Sequence, residues 1–270
     1  MSRSGPADGA GNGALFAVGA TGLELVTAAR GLYSVLAQTL YQVARGRRER
    51  GAVVAQMYEI GNRSLVFITL TMGALGMILT YQIGVQQARI VPDYGMLGAV
   101  FLQLLVRDIA ASLGGLMLAT RVGAGIAAEI GSMVVTEQVD ALRMCAADPI
   151  DFLIVPRFLA SLVMTGVLVI WGGFTAYATG ALTAHFAFGV SLGTFFNLTQ
   201  VHAADVVTGL VKCVAYGAAI PVVSGHCGLS ATGGSEGVGW ATTRAVVNCS
   251  LATIVLDFLI SSTALVVFGT

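Results

Sequence analysis

Between Arg63 and Arg89 the chain reads SLVFITLTMGALGMILTYQIGVQQA, residues 64–88, without one Asp, Glu, Lys or Arg. A helix needs about 20 mostly apolar residues to cross the hydrocarbon core of a bilayer. Lipid gives backbone N–H and C=O groups no partners, so a single crossing of this kind is helical. The stretch therefore predicts a span at about 64–84, and the rest of the chain repeats the pattern. A second span is expected at 95–119, interrupted by the adjacent pair Arg107-Asp108. From Phe158 to Ala204 the only ionisable charges are histidines, which supplies a third span at 157–180 and then a turn-rich stretch around Gly189, Gly193 and Asn197. A fourth follows at 206–227, holding Lys212, and a fifth at 245–267, holding Asp257. Only 10% of the 270 residues are charged and 56% are hydrophobic, whereas a soluble domain is about a quarter charged. The expected fold class is an all-α integral membrane protein with five transmembrane helices.

The charges that remain set the topology. The 14 basic and 14 acidic residues cancel, which argues against a nucleic-acid partner held through phosphate neutralisation. Arg3, Arg30, Arg45, Arg47, Arg48, Arg50 and Arg63 precede the first span. Arg121, Arg143 and Arg157 lie between the second and third, and Arg244 between the fourth and fifth. Arg89 and Lys212 fall toward the other side. Basic residues concentrate in cytoplasmic loops, so the N-terminus is expected in the cytoplasm and the C-terminus outside. Residues 1–20 are expected to be flexible and unlike a signal peptide, since Met1 to Gly13 is Gly-rich and polar and the apolar stretch after it is broken by Gly22 and Glu24. The four cysteines show no CxxC and no His/Cys spacing suited to a metal, so buried thiols are expected and no metal site.

Two segments are neither spans nor simple loops. Residues 21–48 carry Leu25, Ala29, Leu32, Leu36, Leu40 and Val43 at helical spacing, with Thr27, Arg30, Ser34 and Gln38 on another side and a basic cluster following. That is the pattern of an amphipathic helix at a membrane surface, although packing on the protein's own body would use the same stripe. Between Arg121 and Arg157 lie five of the acidic residues. There Val135, Val139, Leu142 and Ala146 fall within about 60° of one another at 100° per residue, and Asp148-Pro149 supplies a stop. This second amphipathic helix, within 129–146, either packs on its own protein or docks on a basic partner.

Enzymatic motifs do not appear. A P-loop needs GxxxxGK[ST], and the single lysine, Lys212, follows no such loop. ATP, if used, is bound by another chain, and no cofactor is expected on this one. His202 with Asp205 and Ser224 with His226 lack a third catalytic partner. Ionisable residues inside spans are costly and mark functional positions. Arg107 and Asp108 point about 100° apart on an α-helix, so one can face a polar cavity while the other faces a neighbouring helix; a buried structural pair is the competing reading. Asp257 needs a partner, and Lys212 and Arg244 are both candidates. An ion-coupled secondary carrier using Asp108, Lys212 and Asp257 as a relay is the alternative function, although five spans do not divide into the equal repeats common in that class.

Four blocks point to one family. The stretch EIGSMVVTEQVDALR, residues 129–143, is followed by Asp148-Pro149 and Val155-Pro156-Arg157. Met57-Tyr58-Glu59-Ile60-Gly61 precedes the first span, Gly76-Met77 with Gln82 lies in it, and GVGWATTRAVV, residues 237–247, opens the last. Together, over about residues 50–270, they resemble the MlaE/YrbE permeases. The resemblance implies a non-catalytic membrane subunit of an ABC transporter that moves phospholipid or related lipid between the inner membrane and an MCE-domain protein on the periplasmic side. Related members act in actinobacterial lipid import and in chloroplasts. It implies a homodimer in the bacterial inner membrane, served by two cytoplasmic ATPase subunits that use ATP. The acidic helix then corresponds to a coupling helix, with Glu129, Gly131, Glu137, Asp140, Leu142 and Arg143 in the ATPase contact. Leu79, Tyr81, Gln82, Arg107 and Asp108 line a lipid cavity at the dimer interface, with Arg107 placed for a headgroup phosphate. Where the family commonly has Arg-Glu-Gly-Pro, this chain has Arg107-Asp108-Ile109-Ala110, which shortens the carboxylate and removes an expected helix break.

Overall fold

The computed structural model describes residues 29–45, 50–90, 94–196 and 199–268. The N-terminal segment 1–20 and residues 21–28 and 46–48 of the expected surface helix lie outside the described residues. Every regular element among the described residues is helical. Five stretches are long and apolar enough to cross a membrane: Gly51–Arg89, Leu97–Val135, Ile150–Phe188, Ala203–Leu229 and Ser235–Phe268. The chain is a multi-pass all-α membrane protein. In order, the elements are α1 (29–45), α2 (Arg50–Ile90), α3 (Leu97–Leu104), a π-helical turn (Leu105–Ile109) and α4 (Ala110–Val135). They continue with α5 (Gln138–Met144), a second π-helical turn (Ile150–Ile154), α6 (Val155–Phe188), α7 (Leu192–Phe195), α8 (Ala203–Leu229) and α9 (Ser235–Phe268).

Small residues decide how these helices approach, because in lipid there is no hydrophobic gain from helix association and close van der Waals contact takes its place. Helix α2 runs parallel to α6: Gly61 faces Met164, Gly172 faces Ile68 and Met72, and Gly76 lies on the backbone of Ala176. Helix α9 runs antiparallel to α4, with Ser112 beside Asp257, Gly123 beside Cys249 and Gly131 beside Val238. The buried positions of α9 are Ala241, Ala245, Cys249 and Thr253, one narrow seam of small side chains four residues apart. Its other faces expose Val247, Leu251, Ile254 and Phe258. Helix α8 packs between α4, α6 and α9.

A Cβ at Gly76 would meet the Cα and carbonyl carbon of Ala176 at 2.7 Å. Gly76→Ala is expected to force α2 from α6 at a cost of about 1–3 kcal/mol, the usual range for overpacking. Gly125, whose Cβ direction is open, provides the matched control. Equal thermal midpoints in detergent for Gly76→Ala and Gly125→Ala would contradict the seam.

Helix α1 packs on the body of the protein through Leu32, Val35, Leu36, Thr39 and Val43. Gly31 sits against the ring of His226, and Gln42 Nε2 donates to Asp148 Oδ2 at 3.1 Å. The inner face is rotated from the stripe read in the sequence: Val35 and Thr39 are buried, while Leu40 joins Tyr33 and Tyr41 on the exposed side. Thr39 can be buried because its hydroxyl donates to the Val35 carbonyl at 2.7 Å, an in-helix bond that removes its need for water.

Candidate functional site

Three places gather the residues singled out above. The first is a charge cluster within the apolar spans. The side chain of Lys212 is fully enclosed, and its Nζ donates to Asp108 Oδ1 at 2.6 Å and lies 3.0 Å from Asp257 Oδ1. Asp257 Oδ1 also accepts from Ser112 Oγ at 2.7 Å and from the Tyr216 hydroxyl at 2.6 Å. Beside it, Arg107 Nη1 stands 3.8 Å from Asp205 Oδ1, and Arg107 Nε stands 3.9 Å from Asp108 Oδ2. Asp205 closes the start of α8 by accepting from the His202 backbone N–H at 3.1 Å. The ammonium thus ties the first π-turn, α8 and α9 together, and Ser112 joins α4 to the cluster through Asp257.

The backbone explains how adjacent residues reach different partners. Arg107 and Asp108 lie in the π-turn, where one extra residue widens the helix. Although the Gly-Pro of the family is missing, the helix still departs from regular α geometry at the expected place. Gly209 makes room for it: a Cβ there would stand 2.7 Å from the Val106 carbonyl oxygen. Of the two partners left open for Asp257, the structure selects Lys212; Arg244 is exposed elsewhere on α9. The reading from sequence missed Ser112 and Tyr216. Each is four residues beyond a charge already noted, Asp108 or Lys212, and that is the spacing of neighbours on one helix face.

The second place is an open groove of about 680 Å³ along the second half of α2. Tyr81 and Gln82 line it, with Met77, Ile78, Val85, Gln86, Arg89 and Thr183. Leu79 turns instead toward the protein core. The five residues expected in one cavity are thus divided within one chain: Tyr81 and Gln82 in the groove, Leu79 behind it, and Arg107 and Asp108 in the charge cluster.

The third place is the connection from α4 to α6. The helix expected across 129–146 is broken: α4 ends at Val135, Glu137 takes a left-handed φ of 61°, and α5 follows. Left-handed backbone costs a non-glycine residue roughly 1–2 kcal/mol, so the sharp corner is held by its surroundings. Val139 is buried beneath α5, and Leu142 lines a shallow apolar groove with Met133, Ala141, Phe152 and Leu153. Glu137, Asp140 and Arg143 are exposed; Arg143 Nη1 reaches Asp140 Oδ1 at 3.0 Å, a surface pair worth under about 1 kcal/mol. Glu129 and Gly131 lie elsewhere. Glu129 Oε1 is 2.7 Å from Nη2 of buried Arg157, and Gly131 is packed against Ala231 and Val238. Arg157 Nη1 also donates to the Leu153 carbonyl at 2.6 Å, bracing the second π-turn.

Comparison with known proteins accords with this architecture. Residues 53–263 match the family model described as Permease MlaE. The chain is 36% identical over 229 residues to a probable ABC transporter permease protein of Synechocystis, covering 83% of this chain and 86% of that one. It is 32% identical to the chloroplastic protein trigalactosyldiacylglycerol 1 of Arabidopsis thaliana, covering 84% of this chain and 65% of the plant protein. It is also 32% identical to the intermembrane phospholipid transport system permease protein MlaE of Haemophilus influenzae, over 83% of this chain and 85% of that one.

Proposed function

The chain belongs to the MlaE permease family, and from that premise we propose that it is the membrane subunit of an ABC transporter that carries phospholipid or a related lipid between the inner membrane and an MCE-domain partner. The observation that supports this best is the pairing of a membrane-embedded helical body with a short exposed helix, α5, which carries Glu137 and Asp140 at its start and is held out at the basic ends of the spans. On this reading α5 docks on a cytoplasmic ATPase, the N-terminus lies on that same side and the C-terminus on the other. The chain itself binds no cofactor and hydrolyses nothing; the ATPase is a separate polypeptide. Two copies form a homodimer, to which the unpacked apolar faces of α2 and α9 are suited. In the dimer the groove of Tyr81 and Gln82 faces the lipid path, and the flexible side chain of Met77 adapts to irregular acyl chains.

ATP-driven closure of the ATPases would push α5. The movement would pass through Arg157 and Glu129 into α4 and α6, and through Asp148 and Gln42 into α1. The Asp108–Lys212–Asp257 cluster serves as a clamp between helices rather than an ion relay; the enclosure of Lys212 between both carboxylates supports that choice. The test is copurification of the tagged chain with coexpressed ATPase and MCE-domain neighbours, followed by lipid analysis. The wild type is expected to bring down the ATPase together with lipid, and Glu137→Lys to release most of the ATPase while the chain remains folded. If the ATPase stays bound to Glu137→Lys and to a further Asp140→Lys variant, α5 is not the docking helix.

A further inference from the structure

The second half of α2 carries long polar side chains from within the span to just past its outer end. Gln82 and Gln86 are one helical turn apart and Arg89 follows about one turn later, on the face that lines the 680 Å³ groove. Over the same face the lining changes from Met77 and Ile78 at one end to Gln86 and Arg89 at the other, a rise of about 18 Å at 1.5 Å per residue. Among the described residues, none gives Gln82, Gln86 or Arg89 a hydrogen bond or an ion pair. The face thus passes from apolar side chains within the span to amide and guanidinium donors at its outer end, and an occupant that is apolar at one end and anionic at the other matches both. Tyr81 is steadied beside this face by ring contact with Phe188 at 5.8 Å. Arg107, the cation first placed at a headgroup, is instead turned to Asp205 and Asp108 and does not line the groove.

We propose that Arg89, assisted by Gln82 and Gln86, is the phosphate-recognising end of the α2 groove. Its ligand is an amphiphile with an anionic phosphodiester head at Arg89 and chains along Met77 and Ile78. The proposal rests on the lipid-permease reading and assigns the headgroup contact within it. A guanidinium offers a planar fork that meets two phosphate oxygens at once, and the two amides supply further donors along the same face.

The test titrates the full-length chain in detergent with dioleoyl phosphatidylglycerol and with dioleoylglycerol, which has the same chains and no phosphate, and reads bound lipid by native mass spectrometry. The wild type is expected to prefer the phospholipid, and Arg89→Gln to weaken it about tenfold, roughly 1.4 kcal/mol, with dioleoylglycerol binding unchanged. Arg89→Lys should retain part of the preference, Arg107→Gln all of it, and glycerol 3-phosphate should fail to displace the lipid. The proposal is overturned if Arg89→Gln keeps the preference, if Arg107→Gln removes it, or if glycerol 3-phosphate competes fully, which would mark a site for free anions. Loss of the phosphate preference with ATPase and lipid still copurifying would sink this assignment alone. Absence of bound lipid from the wild type in both experiments would sink the permease reading with it.

Discussion

Replacing Lys212 by methionine is expected to produce the largest loss of stability of any single change in the spans. The substitution nearly conserves volume, so the cavity cost is small. It leaves Asp108 and Asp257, both ligands of one ammonium, without that charge in an apolar setting. Removing one partner from a buried ion pair costs about 3–5 kcal/mol. Both carboxylates are partly exposed, 46% for Asp108 and 32% for Asp257, which places the effect toward the lower end of that range. The triple variant Lys212→Met with Asp108→Asn and Asp257→Asn removes every charge of the clamp while Ser112 and Tyr216 still have an oxygen to donate to. It should recover much of the lost stability, because a neutral hydrogen-bonded core can equal a buried ion pair. Thermal unfolding in detergent of the single and triple variants decides the matter. A triple variant no better than Lys212→Met would show that the lysine acts by packing rather than by charge.

The second large effect is expected at Arg157, and it should appear in coupling more than in stability. Arg157 holds two things at once: the Leu153 carbonyl at 2.6 Å and Glu129 at 2.7 Å. These lie on opposite arms of the connection that presents α5. Arg157→Met frees both. Glu129 is 41% exposed and can turn to water, so the loss of stability should stay near the roughly 1–3 kcal/mol of an unpaired buried group. The arms of the connection, no longer braced, should then yield under the ATPase instead of moving together. The expected result is ATP hydrolysis that continues while lipid movement per ATP falls several-fold; Arg157→Lys should restore part of it. Hydrolysis and lipid movement that fall in equal proportion would mean that Arg157 only supports the fold.

Much of this architecture is legible in the sequence because lipid imposes a one-dimensional rule. A charge-free run of sufficient length must be a helix, and all five candidate crossings contain the apolar runs that the chain displays. What lies between helices is set by register, and composition does not carry register. Asp257 has Lys212 and not Arg244 for a partner because α9 runs unbroken through both Arg244 and Asp257 and holds them about 20 Å apart at 1.5 Å per residue. On α1 the stripe residues Leu32, Leu36 and Val43 do face inward, but Thr39 takes the inner place expected of Leu40, because Thr39 counts as polar on its own, yet its hydroxyl is satisfied inside the helix. Nor does sequence spacing reveal a π-turn. An α-helical wheel places Arg107 and Asp108 relative to α4 with one residue too few, and the extra residue is visible only in the backbone. The separation of Glu129 from Glu137 has a similar cause: Glu137 itself takes the left-handed backbone that ends the run of α4 and sends α5 off in a new direction.

Helix α2 has 41 residues, about 60 Å at 1.5 Å per residue, twice the roughly 30 Å of a hydrocarbon core. The surplus lies at its N-terminal end, ahead of the uncharged run that begins at Ser64, and α4 has a matching surplus beyond Arg121. These extensions make a rigid mast standing some 20 Å off the apolar slab, with α5 fastened near its top. A mast works by leverage. A small tilt about its foot sweeps the top through several ångströms while the groove and the charge clamp below turn by the same few degrees. On the proposed docking of an ATPase at α5, a displacement there would be geared down in distance and up in strength before it reached Lys212.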